Sequence, residues 1–405
     1  MMVRGFLGKV ALCAAVGAMT FLPTRAAEEP HPVHDFRLEI GAGYDSNPYL
    51  APDDPYFDQN RNEMVYPELE SGFMVPARLD GDLQVPVGQG AHSFVTRYRL
   101  KGALYPESDT SNADEVYAKL EPGLRFRLDD SEKRDRFLDV RGFASYKKEI
   151  YFDRDTGEVS TVSEVDVSNR YTYDAVGAAL VFDYEISRVV GLVIEGEAEQ
   201  RDYDDPGELE SFDHDRLEAN AELVLRMARN ARLYFGYGYE VRDYSDRHAR
   251  SLDGDDPVTN PRLEYTYRRF TTTLRLKPRR PWTLEFRWRR GDRSDGFVDY
   301  NAYDRDTYRL RSTVRTDRGQ WRLTAEYWER DFERAFIFDE PLNPLTGQPN
   351  PLKSHEVVDL EFDGRLAWKE HLRPFVRIDF VDQESADPRF KYRRTRGIVG
   401  LEFSY

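Results

Sequence analysis

Residues 391–405 read KYRRTRGIVGLEFSY. Side chains alternate sides along an extended chain, so Tyr405, Phe403, Leu401, Val399, Gly397 and Thr395 share one face, and Ser404, Glu402, Gly400, Ile398, Arg396 and Arg394 share the other. The first set is mostly apolar and the second mostly polar, and the chain stops on a ring in mid-strand. A strand left at a sheet edge templates aggregation, whereas a closed barrel pairs its last strand with its first and has no edge. In a membrane barrel the apolar phase meets lipid and the polar phase meets a wet lumen.

The same alternation recurs upstream. FRLEIGAGY (36–44) sets Phe36, Leu38, Ile40, Ala42 and Tyr44 against Arg37 and Glu39. VYAKLEPGLRFRL (116–128), RLEANAELVLRM (216–227), RLYFGYGYEVR (232–242) and PWTLEFRWRR (281–290) repeat it, and no amphipathic helix is legible after residue 26. Connections are alternately short and polar, as at 187–189 and 228–231, or long and rich in Asp, Pro and Gly, as at 46–61 and 332–354. Sixteen strands are expected, near 33–45, 62–76, 93–105, 115–128, 136–148, 169–186, 190–203, 213–227, 231–243, 261–276, 281–291, 304–315, 320–331, 355–368, 373–384 and 391–405. The linker 77–92 is long for a periplasmic turn and is read as hiding a small hairpin. Phe143 and RRFTTT (268–273) fall out of phase, which predicts a bulge at each. The fold class is therefore all-β: a closed antiparallel transmembrane β-barrel of about 16 strands, with short periplasmic turns and longer extracellular loops. A soluble sandwich or propeller is the competing reading.

Of the 405 residues, 40% are hydrophobic and 33% charged. A spanning helix needs about 20 consecutive apolar residues, and the one long apolar run is VALCAAVGAMTFL (10–22). Arg4 and Lys9 precede it and Thr24-Arg25-Ala26 follow, so residues 1–26 read as a cleaved secretory signal peptide and 27–405 as an outer-membrane barrel. Cys13 lies within that run, behind Leu12, so no lipid anchor is expected and the mature chain has no cysteine for a disulfide. Removing Arg4, Lys9 and Arg25 takes the net charge from −16 to −19 (−16 − 3), which argues against nucleic-acid binding.

If the apolar phase faces lipid, the lumen is lined by the other. Its residues include Arg97, Arg99, Lys101, Arg125, Arg127, Glu195, Glu197, Glu199, Glu218, Glu222, Arg287, Arg289, Arg309, Arg311, Arg315 and Arg322. Residues 261–330 hold 18 Lys/Arg and 10 Asp/Glu within an acidic chain. Two readings follow: a polar core of ion pairs that stiffens the wall, or charged rings that select polar and anionic solutes. The acidic outer loop 149–168, with Asp153, Asp155, Glu158 and Glu164, is a candidate constriction facing the arginines. The loop 332–354 is a second plug candidate.

His214, between Asp213 and Asp215, reads as a solvated rim histidine, because no nucleophile-elbow serine accompanies it. SLDGDD (251–256) lacks the ligands and closing Glu of a calcium loop. No catalytic residue, metal or cofactor is assigned.

The terminal strand, ending Phe403-Ser404-Tyr405, resembles the assembly signal of bacterial outer-membrane barrels, in which the final residue is usually Phe. GAGYDSNPY (41–49) resembles the opening of porin-like barrels from polysaccharide-secretion loci, although the helical repeats that some large exporters carry before the barrel are not seen. The resemblance implies a Gram-negative outer-membrane location, lipid and lipopolysaccharide as surroundings, the barrel-assembly machinery as a partner, and polysaccharide-export proteins as candidate partners. The expected function is a pore with an arginine-rich lumen, passing polar or anionic solutes or assisting polysaccharide export. The alternatives are a plugged structural or adhesin barrel acting through its loops, and an outer-membrane hydrolase.

Overall fold

The computed structural model describes residues 32–87, 92–128, 136–159, 161–162, 165–204 and 211–405; the expected signal peptide lies outside them. Sixteen long strands follow one another: β1 (Val33–Asp45), β2 (Gly72–Val87), β3 (His92–Leu104), β4 (Glu115–Arg127), β5 (Arg136–Glu149), β6 (Tyr173–Glu185), β7 (Val190–Tyr203) and β8 (His214–Ala228). The second half comprises β9 (Ala231–His248), β10 (Arg262–Leu276), β11 (Trp282–Ser294), β12 (Tyr303–Thr316), β13 (Gly319–Phe336), β14 (Leu352–Leu366), β15 (Leu372–Ser385) and β16 (Tyr392–Ser404). Each is antiparallel to its chain neighbour, and β16 returns to β1, closing the barrel. The closing register sets Leu38 opposite Phe403 and Ile40 opposite Leu401, and Phe36 and Tyr405 exchange backbone hydrogen bonds at 3.0 Å. That exchange carries the closing ladder as far as Tyr405.

Burial is inverted relative to a soluble protein. Ile40, Val176, Leu217, Phe286, Leu310, Leu323, Val399 and Leu401 are exposed, while Glu39, Asp139, Glu240, Glu285, Asp363 and Glu402 are buried. Every one of these apolar residues lies on the outward phase and every one of these acids on the inward phase. Only a non-aqueous exterior makes that arrangement stable, because about 25 cal/mol per Å² favours taking apolar surface out of water. The strands have 13–18 residues, against roughly 9–11 needed to cross, so they project past the lipid. At the turn end Phe36, Phe403, Tyr405 and His371 form a ring cluster with centroids 5.4–6.2 Å apart, suited to the interfacial girdle.

Four local expectations are corrected. The second strand is Gly72–Val87, not 62–76, so most of the supposed turn at 77–92 is wall. Pro76 and Asp80-Gly81-Asp82 look like turn chemistry, yet Ala77, Leu79, Leu83 and Val85 keep the outward phase while Arg78, Asp80, Asp82 and Gln84 face in. Gly81 is required there: a Cβ would lie 2.1 Å from Cζ of Tyr98, whose ring crosses it. The extra hairpin exists, but in the preceding outer loop, between Tyr56–Asp58 and Glu63–Val65. No bulge accounts for Phe143. It points inward, over Gly177, with the Lys119 ammonium 4.0 Å from its centroid. Residues 268–273 also stay in register; Arg268 simply faces outward and pairs with Asp292 at 3.3 Å.

Candidate functional site

The lumen is built from the inward phase of all sixteen strands, and its charges fall into sectors. On β7–β10, Glu197, Glu199, Glu218 and Glu240 are shared among Arg201, Arg216, Arg242 and Arg269, with Arg216–Glu197 at 2.9 Å and Arg269–Glu218 at 2.5 Å. On β10–β13, Arg275 holds Glu285 at 2.7 Å while Arg287 and Arg311 approach the same carboxylate at 3.7 and 3.9 Å, and Arg309 takes Glu326 at 2.5 Å. On β2–β5, Arg97 meets Asp82 at 2.9 Å, Arg99 meets Asp80 at 2.9 Å, and Arg125 forks onto Asp139 at 2.7 and 2.8 Å. Across the β14–β16–β1 seam, Arg365 binds Asp363 at 2.8 Å, Glu39 at 3.0 Å and also Glu402.

The residues expected in the lumen all occupy the inward phase. Arg127 is exposed at the turn end, and Arg315 donates to Oε1 of Gln320 at 2.9 Å. Among the described residues no carboxylate lies within 4.0 Å of Arg289 or Arg322, and no cation within that distance of Glu195 or Glu222. Arg287 and Arg289 instead face Glu195 and Glu222 across a cavity of about 390 Å³. A larger cavity of about 890 Å³ opens at the turn end, lined by Arg37, Arg97, Arg99, Arg315, Arg322 and Arg373 with Asp80, Asp82 and Glu402. Sequence reading missed Asp80 and Asp82 because they sat in the supposed turn, and missed that Glu39, Asp363, Arg365 and Glu402 gather into one cluster because pairing across the seam joins distant parts of the chain. Opposite charges in the same phase of neighbouring strands were the available signal.

The outer mouth is different. The loops 46–71, 150–172, 249–261 and 337–351 follow β1, β5, β9 and β13, four strands apart in a ring of sixteen, so they rise from its four quadrants. They meet one another. Tyr56 Oη donates to Asp155 at 2.8 Å and Arg61 to Asp153 at 2.7 Å, joining the first two. Gln59 donates to Asn350 at 3.0 Å, and Tyr56, Val65, Ile337 and Phe338 bury against each other, joining the first and last. Arg250 reaches Asp339 at 2.8 Å, joining the third and last. The loops therefore interlock as a lid. Asp153 and Asp155, expected to face the arginine wall, meet Arg61 and Tyr56 instead; Glu158 is exposed, and Glu164 lies outside the described residues.

Burial sets the chemistry of the lid. It pushes the Tyr56 hydroxyl up, reinforced by the Asp155 carboxylate, and pushes the Asp155 carboxyl up despite the hydrogen bond from Tyr56. Burial raises Tyr49 to about 12. The Arg154 guanidinium is lowered by burial and rests 5.2 Å from the Phe390 centroid and 5.5 Å from that of Tyr392. His214, expected to be solvated, is buried between Tyr203 and Tyr244, with Nδ1 2.8 Å from the Phe212 carbonyl.

GYDSNPY (43–49) proves to be a structural knot where β1 enters the lid. Asp45 is fully buried and accepts from Tyr105 at 2.7 Å and from Arg394 at 3.0 Å. Asn47 bridges Ala51 and the Arg393 carbonyl, and Tyr49 Oη donates to the Asp109 carbonyl at 2.5 Å. A family model described as surface lipoprotein assembly modifier matches residues 44–255, just over half of the chain, and its match begins inside this knot. The chain belongs to the surface lipoprotein assembly modifier family. The family and the closed barrel together place the chain in the outer membrane of a Gram-negative bacterium. No curated protein matches the chain significantly. Among solved structures, in-vitro folded OmpT of Vibrio cholerae, an outer membrane protein, is 10% identical, with 94% of this chain and 100% of that chain covered, at a TM-score of 0.45. A bacterial polysaccharide outer membrane secretin is 8% identical over 93% of this chain and 100% of that chain, at 0.44. A porin mutant of Rh. blastica is 10% identical over 93% and 100%, at 0.36. Likeness this distant carries nothing about what the chain binds.

Proposed function

We propose that this barrel takes part in the surface assembly of lipoproteins. The family match carries the reading. The asymmetry of the two mouths supports it: a passive pore needs both ends open, whereas here loops from four quadrants interlock outside and the cavity of about 890 Å³ opens on the turn side, toward the periplasm. A client arriving from the periplasm meets a charged, water-filled chamber whose Arg and Asp side chains suit polar polypeptide, and release outward requires the lid to part. No catalytic step is needed. Insertion of the barrel itself uses the assembly machinery, with Phe403 and Tyr405 as its signal.

The test is a strain lacking this chain. Surface biotinylation and protease shaving of intact cells should show fewer exposed lipoproteins at unchanged total abundance, restored by the wild-type chain. Identical surface lipoproteins in both strains refute the reading.

A second reading, favoured by the charged lining, is a conduit for polar or anionic solutes, a saccharide polymer among them. Steady open currents from the wild-type chain in planar bilayers support it; closed records that open only when the lid is broken favour the assembly role.

A further inference from the structure

Arginines face each other directly across neighbouring strands at several points of the inward phase, and two such pairs lie side by side: Arg287 opposite Arg309 on β11 and β12, and Arg305 opposite Arg330 on β12 and β13. Like charges in that position repel, with Cβ atoms about 4.5–5.5 Å apart. The first pair is relieved, since Arg309 holds Glu326 at 2.5 Å and Arg287 lies 3.7 Å from Glu285. The second is not. Among the described residues no carboxylate lies within 4.0 Å of Arg305 or Arg330, and the Nε of each is buried without an acceptor. The acids interleaved on the same strands, Asp304, Asp306, Glu329 and Asp331, occupy the outward phase and point away. Arg289, on the same face one strand over, also lacks a carboxylate; its cross-strand partner is Thr307, which in turn faces Trp328.

What holds the pair in place is aromatic. The Trp328 ring lies 4.2 Å from the Arg305 guanidinium carbon and 5.2 Å from that of Arg330, and Tyr303 lies 4.7 Å from Arg330. Such contacts orient the two cations but accept none of their in-plane N–H donors. An indole floor, two guanidinium forks and orphaned Nε donors make the geometry that a planar or tetrahedral oxyanion satisfies bidentately.

We propose that Arg305, Arg330 and Trp328, with Arg289 beside them, form an oxyanion-binding site on the lumen wall, taking carboxylate or phosphate groups. The site lies near the outer end of the lumen, on strands that lead into the loops of the lid. It stands whether or not the barrel serves lipoproteins, because it rests on the wall's own chemistry.

Trp328 is the inward-facing tryptophan of the wall, since Trp282, Trp288 and Trp321 occupy the outward phase. Its emission therefore reports occupancy. The folded chain in detergent is titrated with pyrophosphate and with hexaglutamate, with spermidine as the cationic control. A saturable change is expected with at least one anion, absent from Trp328→Phe and at least about tenfold weaker in affinity in Arg305→Gln/Arg330→Gln, the effect of losing charge-assisted bonds. Tighter binding of hexaglutamate assigns the site to acidic polypeptide, and tighter binding of pyrophosphate assigns it to phosphate groups. No saturable change with either anion, an equal response to spermidine, or unchanged affinity in the double variant overturns the proposal. Should the double variant fail to fold, Arg305→Lys keeps the charge but not the fork and must also weaken binding.

Discussion

Replacing Arg365 with Ala tests whether the barrel seam depends on one guanidinium. Glu39 of β1 and Glu402 of β16 are directly opposed where the ring closes, and both are buried, at 4% and 1% exposure. Two carboxylates in that position repel. Arg365 holds them together, 3.0 Å from Glu39 and bonded to Glu402, while anchored on Asp363 at 2.8 Å. Each charge-assisted hydrogen bond contributes about 1.5–3 kcal/mol, and breaking a buried pair costs about 3–5 kcal/mol. Arg377 stays 3.3 Å from Glu39 and Arg373 stays 3.5 Å from Glu402, and both are more exposed than Arg365, which weakens their hold. The net loss should then be about 3 kcal/mol. Urea-dependent unfolding from lipid vesicles, read by heat-modifiable gel migration, measures it. Adding Glu402→Gln to the Arg365→Ala chain should recover about 1–2 kcal/mol, because it removes the repulsion that Arg365 masked. A loss within about 0.5 kcal/mol of zero, typical of an inconsequential surface change, or a Glu402→Gln substitution without effect in that background, refutes the reasoning.

Leu310, exposed on the outward phase of β12, should cost about 2–4 kcal/mol when changed to Arg, as expected for a cation near the lipid midplane, and the same unfolding assay reads it. Arg61→Asp sets like charges against Asp153 and Asp155 and should part the lid, seen as larger single-channel conductance; unchanged conductance would mean the latch does not seal the mouth. Reversing Arg287, Arg289, Arg309 and Arg311 together to Glu should move ion selectivity toward cations, measured as a shifted reversal potential in a salt gradient. Burial pushes the Asp339 carboxyl up, but the Lys353 ammonium and the Arg250 guanidinium outweigh it and hold the group below its ordinary range. A depressed carboxyl adds stability that is present above its unfolded pKa and lost as pH falls through the folded value. Exchange protection factors in loop 337–351, corrected for the intrinsic pH dependence of amide exchange, should therefore fall below about pH 4 and stay level between pH 5 and 8.

Much of the wall was readable because a strand's two-residue period is printed directly in the sequence: Phe36, Leu38 and Ile40 against Arg37 and Glu39 need no partner to declare their faces. The reading failed where one residue type serves two purposes. Asp80-Gly81-Asp82 is turn chemistry when read locally, and it became wall because Tyr98, from the next strand, fills the space above Gly81. Phe143 broke the phase because the lumen accepts a ring when a glycine makes room and an ammonium covers its face. His214 was read as solvated because its neighbours in the chain are acids; its neighbours in space are tyrosines.

By itself the chain determined the fold class, the number of strands and the charge of the lumen, since each follows from local alternation repeated along its length. Tertiary structure alone decided which charges neutralise one another, that Asp153 and Asp155 meet Arg61 and Tyr56 of the first outer loop, and that Arg305 and Arg330 face each other with no carboxylate near them among the described residues. Pairing depends on register and on ring closure, which bring together residues hundreds of positions apart, such as Glu39 and Glu402, and no local pattern encodes that distance.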